Sequence, residues 1–544
     1  MSSGFILLIL SLILINWKGT DDVPWSIFNK SHFADISPGG AGDAWFISTI
    51  GAIAERHDIR DNIVVSKNIS RTGEYKIKLC IFGLWRMITV DDFFLCSVED
   101  RTLFGASARN KQLWVPLVQK AYAKAIGSYS RLNGGWSIEG LSTLTGAPCE
   151  WVRLDVPKVS VEDTWRKLFN ASKAGYLLTA NGNYNANDDA RASGIHTYRA
   201  CSINDMVEMQ GHRLIRLRNT WTYELWNGPW SDDWEGWPPE MKSVLLSKER
   251  LAETGAVWMA FDDFTKYYQF ADIAKTRPWS ELRLPFQLGG NLEKPTKVLL
   301  ISIEKRTELC MTLFMDNARR DEDHREDLMA VVYEYSDDGR VGNVMKRGVR
   351  TLYFMAPLED FELEPGRYIV ILHSLRTINS SSTFQANLAV HSSIALSSEV
   401  IEAPSSLIRD SLVQLTIQEG EETKISENVS IYSLSPFDIC GEMIVLENRE
   451  EENFVHVRTD CSKSENVMST RGSLVFYDSV PAGRRQLAVV LTHADPNLLF
   501  EVSCTHEVSL SEDMDLPDEW KIELSTNSEF KPDTELHSSV AIDK

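Results

Sequence analysis

Residues 35–57 constrain this chain more than any other stretch: Asp-Ile-Ser-Pro-Gly-Gly-Ala-Gly-Asp-Ala-Trp-Phe-Ile-Ser-Thr-Ile-Gly-Ala-Ile-Ala-Glu-Arg-His. A Gly-rich turn runs into Asp43, a residue type suited to cap a helix. Phe46, Ile47, Ile50, Ile53 and Ala54 then follow the 3.6-residue period. The pattern predicts a buried helix whose first turn holds Ala44. Unpaired backbone N–H groups and the positive end of the helix dipole stabilise an anion there, which makes it the usual seat of an activated thiolate. In this chain the seat holds a methyl group.

At 544 residues the chain is too long for one core, and its length predicts about three or four domains. A hydrophobic content of 43% and a charged content of 24% are those of a globular protein. The formal net charge of −21 argues against nucleic acid as a partner, because there is no basic patch to release counterions. It reads first as a soluble acidic protein, and second as a source of acidic pockets for a cation. The eight cysteines, Cys80, Cys96, Cys149, Cys201, Cys310, Cys440, Cys461 and Cys504, show no CxxC pair and no metal-ligand spacing. This predicts reduced, mostly buried thiols. The apolar run Phe5 to Ile15 has the length of a signal-peptide core but lacks a basic flank and a small-x-small cleavage site. Two readings stay open for it, a signal or membrane anchor and a merely hydrophobic start. Sequons at Asn29, Asn68, Asn170, Asn379 and Asn428 do not decide between them.

Composition divides the chain into a hydrophobic segment 1–22, a mixed α and β region 23–278 with halves 23–155 and 156–278, β-rich regions 279–395 and 405–508, and an acidic tail 511–544 expected to be disordered. In the mixed region, Tyr75–Leu79 and Trp85–Val90 read as a strand pair around Gly83, and Gln112 to Lys124 as a helix. A Gly-punctuated loop, Gly134 to Gly140, follows. Ser193-Gly194-Ile195-His196-Thr197-Tyr198 leads into a strand, and a second strand from His212 ends at Asn219-Thr220-Trp221. Beyond Pro278 short β-rich runs alternate with turns, from Val298–Ile303 to Phe384–Val390. After a Ser-rich connection near 397–406 they recur, from Leu412–Ile417 to Gln486–Thr492. Pro365-Gly366-Arg367 and Pro481-Ala482-Gly483-Arg484 open the same turn-into-strand unit twice, which predicts two tandem sandwiches.

The 35–57 stretch resembles the calpain cysteine proteases, whose motif is Gln-Gly-x-x-Gly-(Asp/Asn)-Cys-Trp followed by a long apolar helix. Gly39, Gly42, Asp43 and Trp45 match. The nucleophilic Cys is replaced by Ala44, and the Gln that supplies an oxyanion-hole donor by Pro38, which has none. The Lys-Ala-Tyr-Ala-Lys helix, the Gly-Gly loop, the strand after Gly194-Ile195-His196 and the Asn219-x-Trp221 segment extend the resemblance. It implies an α+β papain-like calpain protease core in two halves, followed by two tandem all-β sandwich domains. His196 would be the general base, Asn219 would orient its imidazole, and Trp45 and Trp221 would cover the site. Thr220 and Thr222 depart from the family's Pro and Gly. The resemblance also implies Ca²⁺, with Asp35 and Glu139 in the first half and Asp232 and Asp263 in the second, where Leu225 stands in place of an acid. It implies no organic cofactor. Ile36-Ser37, Ala54-Glu55-Arg56, Leu144 to Cys149 and Leu363 to Gly366 favour the family's SOL branch.

Two functions follow from the resemblance. One is a pseudoprotease that binds peptide or protein partners, because His196 and Asn219 have no nucleophile to serve. The other is an active, calcium-dependent cysteine-type endopeptidase using an unrecognised nucleophile. Ser48 and Thr49 lie too deep on the helix to reach a peptide at Ala44. A Cys-to-Ala exchange alone would explain Ala44 but not Pro38, Thr220 and Thr222. The family implies a cytoplasmic protein, and a functional Phe5–Ile15 signal would imply the secretory pathway.

Overall fold

Apolar periodicity in the first half of the chain collects its side chains around one helix, Ala44–Ile53. The structure, a computed structural model, describes residues 25–28, 35–94, 107–108 (backbone), 112–154, 160–182, 193–195, 200–219, 226–247, 255–289, 296–316, 326–378, 382–435, 441–495, 498–526 and 535–542. It divides into two units, Met1–Pro278 and Trp279–Lys544.

In the first unit every residue of the Ala44–Ile53 helix is buried except Ala44 and Ala52. The helix packs against a second helix, Ser137–Thr145, and against strands Leu177–Gly182 and Ala200–Met209. Close approach of the two helices depends on Gly140, where an added Cβ would lie 2.5 Å from Thr49 Oγ1. The strand pair forms as a hairpin, Glu74–Ile81 with Leu84–Asp91. Its two-residue turn puts Phe82 and Gly83 at φ 46° and 83°, the paired positive angles that match strand twist. Six antiparallel strands form the main sheet, in the order Cys149–Arg153, Tyr268–Ala274, Leu177–Gly182, Ala200–Met209, His212–Asn219 and Ala256–Ala260. Trp165 and Leu168 of the Val161–Lys173 helix and Phe261 and Phe264 pack with the sheet residues Met206, Ile215 and Met259.

A buried polar chain ties the Ser137–Thr145 helix to this sheet. Ser137 Oγ donates to Asn181 Oδ1 at 3.1 Å, and Asn181 Nδ2 (2.8 Å) and Thr179 Oγ1 (3.0 Å) donate to Asp272 Oδ2. Burial outweighs these donors and pushes the Asp272 carboxyl from the ordinary 3.8 up to about 7.

The second unit is β-rich. A four-stranded sheet (Ser280–Gly289, Thr383–Ser392, Thr307–Met315, Met355–Leu363) and a five-stranded sheet (Val341–Arg347, Leu328–Tyr335, Gly366–Ser374, Thr296–Ile303, Ser397–Ala403) enclose Ile301, Leu309, Leu313, Val332, Val370 and Leu388. The 397–403 segment is therefore an edge strand, not a connection. Its polar residues suit an edge, whose outer side faces water. A second pair of sheets follows. One runs Glu421–Lys424, Val429–Leu434, Met443–Asn448, Arg484–His493 and Val467–Ser469, and the other Val475–Val480, Phe454–Asp460 and Thr505–Ser511.

Leu412–Ile417, expected as a strand, belongs to the helix Ser406–Glu419. Its alternation is incidental to a helical spacing, Ile408, Leu412 and Leu415, which packs with Val331 and Ile369 of the five-stranded sheet and with Met443 and Val445 of the next. Both pairs of sheets thus share apolar packing through this helix. A buried ion pair adds to the junction. Asp327 and Arg350 are wholly buried; Arg350 Nε reaches Asp327 Oδ1 at 2.9 Å, Nη2 reaches Oδ2 at 2.6 Å and Leu491 O at 2.8 Å, and the Thr492 hydroxyl donates to the same carboxylate.

Two further expectations are corrected. The acidic tail is not disordered throughout, because 518–526 forms a helix seated by Trp520, and Leu536 and His537 are buried. Few apolar residues suffice when each finds a seat. Cys461 and Cys504 are joined as a disulfide, with Cα atoms 4.3 Å apart, whereas Cys80, Cys149, Cys201 and Cys310 are buried thiols. A spacing of 43 residues carries no sign of the pairing. Among the described residues no helix is long and apolar enough to cross a membrane. Residues 5–15 lie outside the described residues.

Two stability measurements check this packing. An acid whose carboxyl is raised on folding binds its proton more tightly when folded, so Asp272 weakens the fold progressively as pH rises from about 4 to about 7, and fully above that. The stability gap between Asp272→Asn and the parent should widen in the variant's favour by on the order of 1.4 kcal/mol per pH unit across this window, read from melting curves at pH 4 to 8. In the second unit, Asp327→Ala strands a buried guanidinium and should cost about 3–5 kcal/mol in urea unfolding.

Candidate functional site

The turn before the Ala44–Ile53 helix is shaped by close contacts. Gly42 has φ 72°, and a Cβ there would lie 2.2 Å from Asn133 Oδ1. Gly134 N donates to Gly42 O at 3.2 Å, so the 133–135 loop lies against the glycine turn. Asp43 takes the N-cap position, and its carbonyl accepts from Phe46 N (2.9 Å) and Ile47 N (3.0 Å). Its side chain does not cap. The carboxylate is buried, and Oδ2 accepts from Gln119 Nε2 at 2.6 Å, across from the Trp114–Ile126 helix. Burial pushes its carboxyl up despite that bond.

Ala44 opens the helix and is half-buried, whereas Trp45 to Gly51 after it are closed off. Trp45 is buried; its Nε1 donates to Leu132 O at 2.9 Å and its ring meets Tyr122 edge-on at 6.1 Å. Ser48 Oγ donates to Trp45 O at 2.7 Å and Thr49 Oγ1 to Phe46 O at 2.6 Å, both buried within the helix. Pro38 is half-buried in the turn and offers no N–H.

Asn219 ends the strand His212–Asn219, opposite Cys201, with 9% of its surface exposed and its backbone N donating to Gly255 O at 2.9 Å. Its neighbour Arg218, wholly buried, donates from Nη2 to Ile36 O at 3.1 Å and lies against Gly51. Arg218 thus links the strand bearing Asn219 to both the segment before the glycine turn and the Ala44 helix. His196, Thr220, Trp221, Thr222 and Leu225 lie outside the described residues.

The carboxylates that the resemblance assigns to calcium, Asp35 and Glu139 in the first half and Asp232 and Asp263 in the second, stand in different surroundings. Glu139 is buried in the first turn of the Ser137–Thr145 helix, where its carboxylate accepts from the Tyr122 hydroxyl. Asp35 is half-buried beside the Ile36–Ser37 strand. Burial raises the carboxyls of Asp232 and Asp263; Arg216 opposes the shift at the first and Lys266 at the second. Among the described residues no three His, Cys, Asp or Glu side chains come together as metal ligands. The Trp-rich segment packs as core: the rings of Trp230, Trp234 and Trp237 meet one another tilted or edge-on and join Trp258, Met241 and Leu214.

Gln119 and Arg218 escaped the sequence reading. A Gln on a helix and an Arg at a strand end carry no pattern of their own; only the fold gives them Asp43 and Ile36 as partners.

The turn can be tested by two glycine substitutions. Gly42→Ala should destabilise the fold by about 1–3 kcal/mol in thermal melting. Gly134→Ala should cost less, because its φ is similar at 71° but a Cβ there meets nothing within 4 Å.

Residues 13–275 match the calpain family cysteine protease model, and residues 415–513 match the calpain-D-like C-terminal domain. The chain is 30% identical over 270 residues to the calpain-type cysteine protease DEK1 of Arabidopsis thaliana, covering 49% of this chain and 12% of that protein. It is 32% identical over 250 residues to DEK1 of Zea mays, covering 45% and 12%. With the calpain-2 catalytic subunit of Mus musculus it shares 29% identity over 281 residues, covering 48% and 39%. The alignments thus span about an eighth of the plant relatives and two fifths of the mouse one. Residues 13–275, within the first unit, are thus a catalytic domain of the calpain family, and residues 415–513 a calpain-D-like C-terminal domain.

Proposed function

We propose that this calpain-family domain is a pseudoprotease that binds an extended peptide or protein partner without cutting it. The observation that carries the reading is Ala44. It stands at the half-buried first residue of the helix, where the family motif has its nucleophile, and a methyl group cannot attack a carbonyl. The two hydroxyls that follow support it, since Ser48 and Thr49 are buried and committed to helix carbonyls. Pro38 removes an oxyanion donor in the same turn. The fold around the site is nonetheless kept: Asp43 is held by Gln119, and Asn219 sits at its strand end behind Arg218. A retained scaffold without a nucleophile is suited to binding. The competing reading, an active endopeptidase, needs a nucleophile other than residue 44, Ser48 or Thr49.

The motifs at 36–37, 54–56, 144–149 and 363–366 support placing the chain in the SOL branch. A cytoplasmic setting rests on the family resemblance and the four buried thiols, whereas the Cys461–Cys504 disulfide favours the secretory alternative. No step of the proposal runs through calcium.

Restoring the lost groups tests the assignment. Ala44→Cys should gain cleavage of an unfolded protein substrate. Adding Pro38→Gln should raise the rate further, by about 10²–10³ for a regained oxyanion donor, and His196→Ala in that background should abolish it. A doubly repaired protein that melts like the parent and still does not cut would show that Ala44 is not at the nucleophile position.

A further inference from the structure

In the strand Phe454–Asp460, Val455 and Val457 point into the core of the second pair of sheets, so His456 and Arg458 lie on the outer face. Ser479 and Tyr477 on one neighbouring strand, and Ser509 and Glu507 on the other, continue that face. A polar face of an antiparallel sheet needs no cover. Here it has one: His456 is wholly buried and Tyr477 is 5% exposed.

The cover is the helix Asp518–Thr526, which lies past the residues of the calpain-D-like domain. Two of its side chains hold it. Trp520, the one buried residue of the helix, packs its ring 6.3 Å from that of Tyr477. Glu523 Oε2 accepts from the Tyr477 hydroxyl at 2.7 Å and from Arg458 Nε at 2.9 Å. Just before the helix, His456 Nε2 and Asp513 O are 3.1 Å apart. The remaining helix faces solvent, with Ile522 69% exposed. A helix of nine residues does not persist in water by itself, so its order depends on this seat. The chain is fastened on both sides of it, by the strand Thr505–Ser511 before and by buried Leu536 and His537 after.

The geometry points to a docking surface on the outer face of the Val475–Val480, Phe454–Asp460 and Thr505–Ser511 sheet for a helix that presents an aromatic ring and a carboxylate three residues later, with the Asp518–Thr526 helix occupying it in cis as a displaceable strap. Tyr477 supplies the aromatic seat and the hydroxyl, and Arg458 the cation. Two anchors make the strap liftable, and its tethers keep it at high effective concentration, so a partner must compete with it.

The test uses the full chain and a fluorescent peptide of residues 513–526 as the partner, read by anisotropy. The parent should bind the peptide weakly. Trp520→Ala with Glu523→Lys should bind it at least about tenfold tighter, because the strap no longer competes. Adding Arg458→Ala should remove that gain, as should placing the two strap substitutions in the peptide instead. Equal affinity of parent and strap variant, or binding indifferent to Arg458, would overturn the proposal. Amide exchange of the parent is an independent check. Amides of 518–526 should exchange well before those of 454–460, and exchange only together with the sheet would overturn it as well.

Discussion

Burial of the Ala44–Ile53 helix is the constraint on which the first unit depends. A helix enclosed by another helix and by sheet strands must be apolar nearly all round; Trp45, Phe46, Ile47, Ile50 and Ile53 supply that surface, and the Ser48 and Thr49 hydroxyls are turned onto helix carbonyls. Its neighbours must also come close, which Gly140 of the facing helix allows opposite Thr49 and its own Gly51 allows opposite Arg218. Only Ala44 at its start and Ala52 near its end are partly open.

The polar groups around this helix work as fasteners. Gln119 holds the Asp43 carboxylate, Tyr122 holds Glu139, and Asn181 with Thr179 holds Asp272, each buried away from water. Buried polar groups of this kind are costly when left unmatched, and so fix one arrangement of the elements that carry them. Glu139 bears on a functional reading as well. The family motif suggests a calcium ligand at this position, and its carboxylate also accepts from a tyrosine hydroxyl inside the core. The second unit uses the same device, with Asp327 and Arg350 at the junction of its two pairs of sheets.

Patterns that depend on neighbours in sequence were legible. The glycine turn and its helix, the hairpin closed at Gly83, the strands around 298–303, 367–372 and 486–492, and the change in texture near Pro278 all show in local periodicity. What depends on distant partners was not. Leu412–Ile417 alternates like a strand, yet Ile408 and the two sheets it meets make it helical. The serines of 397–403 read as a linker until an edge is available for them to pair with. Trp520 in an acidic tail gives no sign of its seat on Tyr477, and Cys461 none of Cys504. At the candidate site, the family motif points to residue 44 and its turn, whereas the partners of Gln119 and Arg218 emerged only from the fold.

The central claim is that the scaffold of a peptidase is retained here without its chemistry. The most direct measurement is the intact mass of an unfolded protein substrate after prolonged incubation with the native chain, beside the same incubation with the His196→Ala protein. The account predicts full-length substrate in both. Fragments that the native chain produces and His196→Ala does not would contradict it, and would show that this chain cuts peptides with a nucleophile other than residue 44.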